Sequence, residues 1–154
     1  MVSIRLDDLG AYYGSRLTVS GITTPSFASG DIVAVIGPNA AGKSTLFKRM
    51  ASLLRGPGRV VVEGSAKAGR AVSYMPQDTS ANAVLTVYES ILLARKQGEG
   101  WKVGDDDLRR IDRVMVALDI TDIAFRNLGE LSGGQRQLAG IAQTLVREPD
   151  ILLM

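Results

Sequence analysis

The residues best suited to chemistry lie in one short loop. Residues 37–44 read GPNAAGKS and fit the spacing G-x-x-x-x-G-K-[ST]. Gly37 and Gly42 permit a tight turn, so that successive backbone N–H groups can point at an anion at a helix start. Lys43 would contact the β- and γ-phosphates of a triphosphate, and the Ser44 hydroxyl is a hard oxygen ligand suited to Mg²⁺. We predict that ATP and its magnesium ion are bound by Gly37, Pro38, Asn39, Ala40, Ala41, Gly42, Lys43, Ser44 and Thr45.

A second candidate phosphate site is the sequence LSGGQ at residues 131–135, which opens a predicted helix. Ser132 and Gln135 have the spacing of a capping box, which needs no ligand. Two consecutive glycines are not needed for capping, however, and each destabilises a helical turn by about 1 kcal/mol relative to alanine. Glycines at this position favour close approach of the backbone to an anion. We therefore predict that Ser132, Gly133, Gly134 and Gln135 bind an anionic ligand.

The composition limits the chemistry that is available. The chain has 154 residues and contains neither cysteine nor histidine, so reactions must use hydroxyls, carboxylates, amides, Lys or Arg and a hard metal. Its net charge of +2 makes no strong footprint for nucleic acid, and none is expected as a partner. The apolar run at 32–36 is far shorter than the roughly 20 residues that span a bilayer. We expect a soluble chain that reaches a membrane only through a partner.

Strands dominate the first half of the predicted structure. Asp31 to Ile36 (DIVAVI) is a continuous β-branched run, which predicts a strand buried on both faces. A helix over Lys43 to Leu54 should follow the phosphate loop, with Leu46, Met50 and Leu53 on one face. Four further strands are predicted: Ser3 to Leu6, Leu17 to Ile22, Arg59 to Glu63 and Ala71 to Met75.

From Thr86 onward the pattern is helical. Thr86 and Glu89 predict a capping box for a helix that ends near Gln97. Asp105 to Asp107 place negative charge at the start of the next helix, where the helix dipole favours it. Two apolar faces are predicted: Leu108, Ile111, Met115 and Leu118, then Leu138, Ile141, Ala142 and Leu145. With a strand over Ile151 to Met154, this order predicts an α/β core and β-subdomain (1–77 and 137–154) with a helical insertion (78–136).

Together, the two glycine motifs resemble those of the ATP-binding-cassette (ABC) ATPases, in which LSGGQ is the family signature. The resemblance implies a P-loop NTPase (RecA-like) core with an N-terminal antiparallel β-subdomain and an inserted helical subdomain. It also implies that Tyr13 stacks on adenine, with Tyr12 as a rival. Gln77 in YMPQ would contact Mg²⁺ and the attacking water, which makes Lys43 and Gln77 the expected catalytic residues in the chain. Residues 148–154 resemble the lead-in to the Walker B strand.

The sequence departs from the family pattern in two respects. Ala40 stands where the family often has glycine, and we expect little effect because the position tolerates small residues. The acidic Walker B residues, the D-loop and the switch histidine would follow Met154. We therefore expect the C-terminal part of the domain to be missing, and expect this chain alone to bind ATP but hydrolyse it poorly.

The resemblance also implies partners. In the family, two subunits sandwich two ATP molecules head to tail, each signature helix capping the ATP on the opposite phosphate loop. We expect a homodimer that docks at the cytoplasmic face of a membrane through a separate permease, with the docking groove at 78–88. Leu85 to Ile91 resembles a segment of importers, and residues 132–142 resemble importers of iron–siderophore complexes, haem or cobalamin. The alternatives are a soluble ABC ATPase acting elsewhere and a P-loop enzyme of another family, such as a small-molecule kinase.

Overall fold

The computed structural model describes residues 1–66, 71–76, 84–98, 100 and 102–154. These residues form two compact units, each with internal contacts of its own. The first unit contains Met1–Tyr74 and Asp150–Leu153, and the second contains Met75–Pro149 and Met154. Within the described residues, no helix combines the length and apolar composition needed to cross a bilayer.

The first unit is built from short strands and one helix. A three-stranded antiparallel sheet has the order β4-β1-β5, in which β1 (Ser3–Asp7) lies between β4 (Phe27–Ala28) and β5 (Arg59–Glu63). Strands β2 (Leu9–Tyr13) and β3 (Arg16–Ile22) form an antiparallel hairpin. Strands β6 (Val72–Tyr74) and β7 (Ile151–Leu153) pair in parallel. The helix α1 (Lys43–Met50) packs on the hairpin.

The predicted strand over 31–36 is wrong. These residues belong to no strand, and Ile32 and Ile36 are 99% and 91% exposed. The Asp31 N–H donates a hydrogen bond to the Ala28 carbonyl at 3.1 Å, and no described strand pairs with residues 31–36. An apolar, β-branched run predicts that a segment can form a strand, but a strand exists only where a neighbour supplies ladder hydrogen bonds.

One other prediction in this unit needs correction, and one strand was missed. The helix α1 ends at Met50 rather than Leu54, because Ser52 takes a left-handed conformation (φ 61°) that cannot continue an α-helix. Leu53 consequently lies outside the helix and is 63% exposed. Strand β2 was not predicted, because register shifts between Leu9 and Tyr12 break the simple alternation.

The second unit is helical, as its sequence predicts. Its helices are α2 (Val87–Lys96), α3 (Asp105–Ala117) and α4 (Gly133–Leu145), with 3₁₀ turns at Thr121–Ile123 and Leu128–Glu130. The predicted capping box of α2 is present: Glu89 N–H donates to the Thr86 hydroxyl (3.2 Å), and Thr86 N–H donates to the Glu89 carboxylate (2.8 Å). Ile111 and Met115 are buried as predicted, whereas Leu108 is 37% exposed at the margin of its face.

The buried face of α4 differs from the predicted one. Its fully buried residues are Ala139, Gly140, Ala142 and Thr144, whereas Leu138, Ile141 and Leu145 are half-buried. The helix packs against α2, and small side chains at the contact allow two helices to approach closely. The apolar core of the unit joins α2, α3, α4 and the turns between them, with Val87, Ile91, Ile111 and Ala142 at 0% exposure.

Candidate nucleotide-binding site

The loop at residues 37–42 leads directly into α1. Gly42 caps the helix with φ 90°, and Ala40 is also left-handed with φ 65°. The first hydrogen bond of α1 runs from Leu46 N–H to the Gly42 carbonyl at 2.8 Å. The amides of Lys43, Ser44 and Thr45 therefore precede the helical ladder and lie at the positive end of the helix dipole, as an anion site requires.

The structure gives a steric reason for one of the two motif glycines. A Cβ at Gly42 would lie 2.8 Å from the Val19 Cγ2 of strand β3, and the left-handed φ also disfavours a side chain. A Cβ at Gly37 would meet only the Cβ of Ala41, at an ordinary 3.6 Å. The fold of the described residues therefore gives a steric reason for glycine at Gly42 and none at Gly37.

Lys43 lies over the loop that precedes it. Its ammonium donates to the carbonyls of Gly37 and Pro38, both at 2.8 Å. These bonds hold a positive charge against the loop at Gly37 and Pro38, within the predicted phosphate-binding segment. Residues Gly37 to Ala41 and Ser44 are exposed, so a ligand can reach the loop.

Ser44 can contribute a single hard oxygen to a metal ion. Among the described residues, no cluster of three or more carboxylate, histidine or cysteine side chains could hold a metal. The chemistry of Ser44 therefore fits Mg²⁺ that takes most of its ligands from phosphates and water, as this ion commonly does.

The tyrosine predicted to stack on adenine belongs to the same unit. Tyr13 ends strand β2, is 64% exposed and pairs with Arg16 across the hairpin. Tyr12, its rival, is 42% exposed. The same hairpin carries Val19 against Gly42, so it is fixed beside the phosphate loop. No motif marks Val19, and only its long-range contact shows that it helps to position the loop.

The signature sequence forms the start of α4 in the second unit. Gln135 N–H donates to the Ser132 hydroxyl (3.3 Å), and Ser132 N–H donates to the Gln135 side-chain carbonyl (3.1 Å). This is the predicted capping box. It fixes the first turn of the helix and leaves the Ser132 hydroxyl proton available to an outside acceptor.

Gly133 and Gly134 have no steric requirement inside the chain. An added Cβ would meet nothing within 4 Å at either position, and neither residue has a positive φ. Alanine would be the better helix former there. The fold of the described chain therefore does not explain these glycines, which is consistent with close approach by a molecule outside it.

Two sequence predictions lie wholly or partly outside the described residues. Gln77, the expected contact of Mg²⁺ and water, is one of them. Residues 78–83 of the predicted permease groove are also outside, and its described part is 84–88, where Val84 is 90% exposed.

The comparisons with known proteins agree with this arrangement. Residues 23–154 match the family model described as "ABC transporter". An uncharacterized ABC transporter ATP-binding protein of Methanocaldococcus jannaschii is 33% identical over the whole chain and 63% of its own length. The iron(3+)-hydroxamate import ATP-binding protein FhuC of Bacillus subtilis is also 33% identical, over the whole chain and 61% of its length. The chain thus spans about three fifths of these relatives.

Solved structures support the same assignment. A transporter described as of the metal-chelate type, in an inward-facing conformation, matches with a TM-score of 0.80 and 28% identity over 96% of the chain and 58% of the solved chain. A nucleotide-free ATP-binding cassette matches in fold with a TM-score of 0.82, at 24% identity over 99% of the chain and 68% of its own. These matches confirm the predicted α/β fold of P-loop NTPases. With the family model covering all but the first 22 residues, the chain belongs to the ABC transporter family.

Proposed function

We propose that the chain binds ATP and Mg²⁺ as part of the ATPase subunit of an ABC transporter. The observation that carries the proposal is the start of α1, where three helix-start amides and the Lys43 ammonium lie together on an exposed loop. On ATP binding, Lys43 exchanges its carbonyl partners for the β- and γ-phosphates. Ser44 contributes its hydroxyl to the metal, Tyr13 stacks on adenine, and Gln77 contacts Mg²⁺ and the attacking water.

A second copy of the chain would complete the site. In this proposal, Ser132 and the amides of Gly133 and Gly134 from one copy bind the γ-phosphate of the ATP held by the other. The open space around both glycines supports it, since a close external contact gives a reason for residues that the helix itself disfavours. ATP then bridges a head-to-tail homodimer, and hydrolysis removes the bridge and opens it.

The transport role is proposed from the relatives. FhuC of Bacillus subtilis is an iron(3+)-hydroxamate import ATP-binding protein, and a second relative from that organism is a "Probable siderophore transport system ATP-binding protein" (33% identical over the whole chain and 59% of its length). We therefore propose import of an iron complex through a separate permease, with this subunit peripheral at the cytoplasmic face of the membrane. Co-purification with a permease would distinguish this role from that of a soluble ABC ATPase.

Lys43→Ala tests the central claim. The variant loses a cation that would make charge-assisted hydrogen bonds to two phosphates, so the affinity for Mg-ATP should fall roughly 10- to 100-fold or become undetectable. Titration calorimetry measures the dissociation constant. Lys48→Ala is the matched control, because it removes one positive charge from the last turn of the same helix. Equal affinities of the Lys43→Ala variant and the wild type would contradict the proposed function.

A further inference from the structure

Arg49 makes a set of contacts that no sequence motif predicts. It lies in the last turn of α1, and its Nε donates to the Gly10 carbonyl of strand β2 at 3.1 Å. Its Nη2 donates to the carbonyls of Gly56 and Gly58, both at 3.1 Å, in the turn that follows the helix. One half-buried guanidinium therefore joins the helix, the hairpin and the turn.

The three glycines form a seam of direct backbone contact, here called the glycine seam (Gly10, Gly56 and Gly58). A Cβ at Gly56 would lie 2.1 Å from the Gly10 carbonyl oxygen, and one at Gly58 would lie 2.0 Å from the Asp8 carbonyl oxygen. Two backbone hydrogen bonds of 2.9 Å run along the seam, from Gly10 N–H to the Pro57 carbonyl and from Tyr12 N–H to the Arg55 carbonyl. The chain after α1 is thus held against β2, and Arg49 ties the helix itself to both.

Arg49 adds a side-chain link between the end of α1 and the hairpin to the backbone bonds that join the following turn to β2. The helix has no fully buried residue, so apolar packing constrains its orientation weakly. It touches the hairpin at its start, where Gly42 meets Val19, and at its end, where Arg49 binds Gly10. Without Arg49, the backbone bonds of the seam would still hold β2 against the turn, but the end of α1 would lose its hydrogen bond to the hairpin, and helix and hairpin could shift about the Gly42–Val19 contact.

The two contacts of α1 lie at different points along the hairpin: Val19, which meets Gly42, pairs with Ala11, so this contact lies between Gly10 and Tyr13 along β2. Lys43 lies six residues before Arg49, about 9 Å along a helix that rises 1.5 Å per residue. Tyr13 lies three residues beyond Gly10, about 10 Å along a strand. A pivot of the hairpin about the Val19 contact would therefore displace Tyr13 while leaving the phosphate loop in place.

We propose that Arg49 is a positioning residue: by clamping the glycine seam it sets where Tyr13 stands relative to the phosphate loop, and so sets the affinity for the nucleoside part of ATP. The proposal rests on the proposed function. A planar guanidinium with several donors can bind three carbonyls at once, which the single ammonium of a lysine does poorly.

The test compares two ligands, Mg-ATP and Mg-tripolyphosphate, which share phosphates but not a base. Arg49→Ala should weaken Mg-ATP binding about 10-fold, because aromatic stacking on the base is lost, and should leave Mg-tripolyphosphate within twofold of wild type. The affinity of Arg49→Lys for Mg-ATP should lie between those of the wild type and Arg49→Ala. Lys48→Ala, which removes a charge from the same turn, should change both constants by the same factor.

Circular dichroism and urea unfolding establish whether each variant is folded. If Arg49→Ala is unfolded, the two ligands are compared with Arg49→Lys instead. Equal loss of affinity for both ligands, or no loss for either, would show that Arg49 serves stability alone and would overturn the proposal. A wild-type chain that binds Mg-ATP no better than Mg-tripolyphosphate would overturn it as well. Failure of the proposed function itself looks different: the Lys43→Ala variant would then bind both ligands like the wild type.

Discussion

The phosphate loop contains two glycines with different physical roles. Gly42 is left-handed and abuts Val19, so that its lack of a side chain is required by the fold. Gly37 has room for a side chain. The motif identifies both from spacing, but only the structure separates a glycine that the fold needs from one for which the fold gives no steric reason.

Gly42→Ala and Gly37→Ala form a matched pair that tests this distinction. A left-handed alanine costs roughly 1–2 kcal/mol, and the close approach to Val19 should add to it, so Gly42→Ala should lower the free energy of unfolding by about 1–3 kcal/mol. Gly37→Ala should leave it unchanged or raise it by up to about 1 kcal/mol, since alanine restricts the unfolded chain. Urea denaturation measures both, and equal losses would argue against the described loop geometry.

Among the elements, α4 begins with residues that oppose its own stability. Its capping box satisfies helix-start amides, while Gly133 and Gly134 weaken the first turn. Local propensity and function therefore conflict at this helix start, as they often do at functional sites.

The variant Gly133→Ala/Gly134→Ala should move stability and function in opposite directions. The free energy of unfolding should rise by roughly 1–2 kcal/mol, because alanine is the better helix former. ATP-dependent dimerisation should be lost, because the added methyl groups obstruct the partner's nucleotide. Light scattering with bound ATP that is not hydrolysed measures the dimer. Gln137→Ala is the control: it is exposed on the same helix outside the signature and should leave dimerisation unchanged. A double variant that dimerises like the wild type would remove the proposed role of the signature.

The elements also show what sequence alone could establish. The α2 and α4 capping boxes and the buried positions Ile111 and Met115 depend on spacing within one helix, and the sequence predicts them correctly. The strand at 31–36 depends on a neighbouring strand, and the glycine seam joins residues that are more than 40 positions apart. Local periodicity does not report such long-range relations, which is why the strand at 31–36 was predicted wrongly and the glycine seam was not predicted at all.

At the scale of the whole molecule, the acidic groups with shifted pKa values lie at helix starts of the second unit. The Thr86 N–H bond lowers the pKa of Glu89, and the Gly104 N–H bond, followed by Lys96, lowers that of Asp107. The hydrogen bond from Arg110 lowers the pKa of Asp106. All three carboxylates therefore hold a proton less readily in the folded chain than in the unfolded one.

The free energy of unfolding should accordingly fall in acid. Each depressed pKa contributes stability that is complete above the unfolded value, near 4, and is lost as the pH falls through the folded value. Between about pH 5.5 and 7 the profile should be nearly flat, since the chain has no histidine. Urea denaturation at several pH values measures the profile. The stability gap between wild type and Asp107→Asn should shrink in acid, whereas Asp122→Asn, at an exposed carboxylate, should track the wild type; a constant gap would contradict the assignment.

The exposed segment at 31–36, which belongs to no strand, affects how the protein behaves at high concentration. A six-residue segment that belongs to no strand, is rich in β-branched side chains and carries one charge is the kind of segment that templates cross-β stacking between molecules. A single lysine at position 32 or 36, both of which are exposed, would add a charge to this segment and reduce aggregation in concentrated samples.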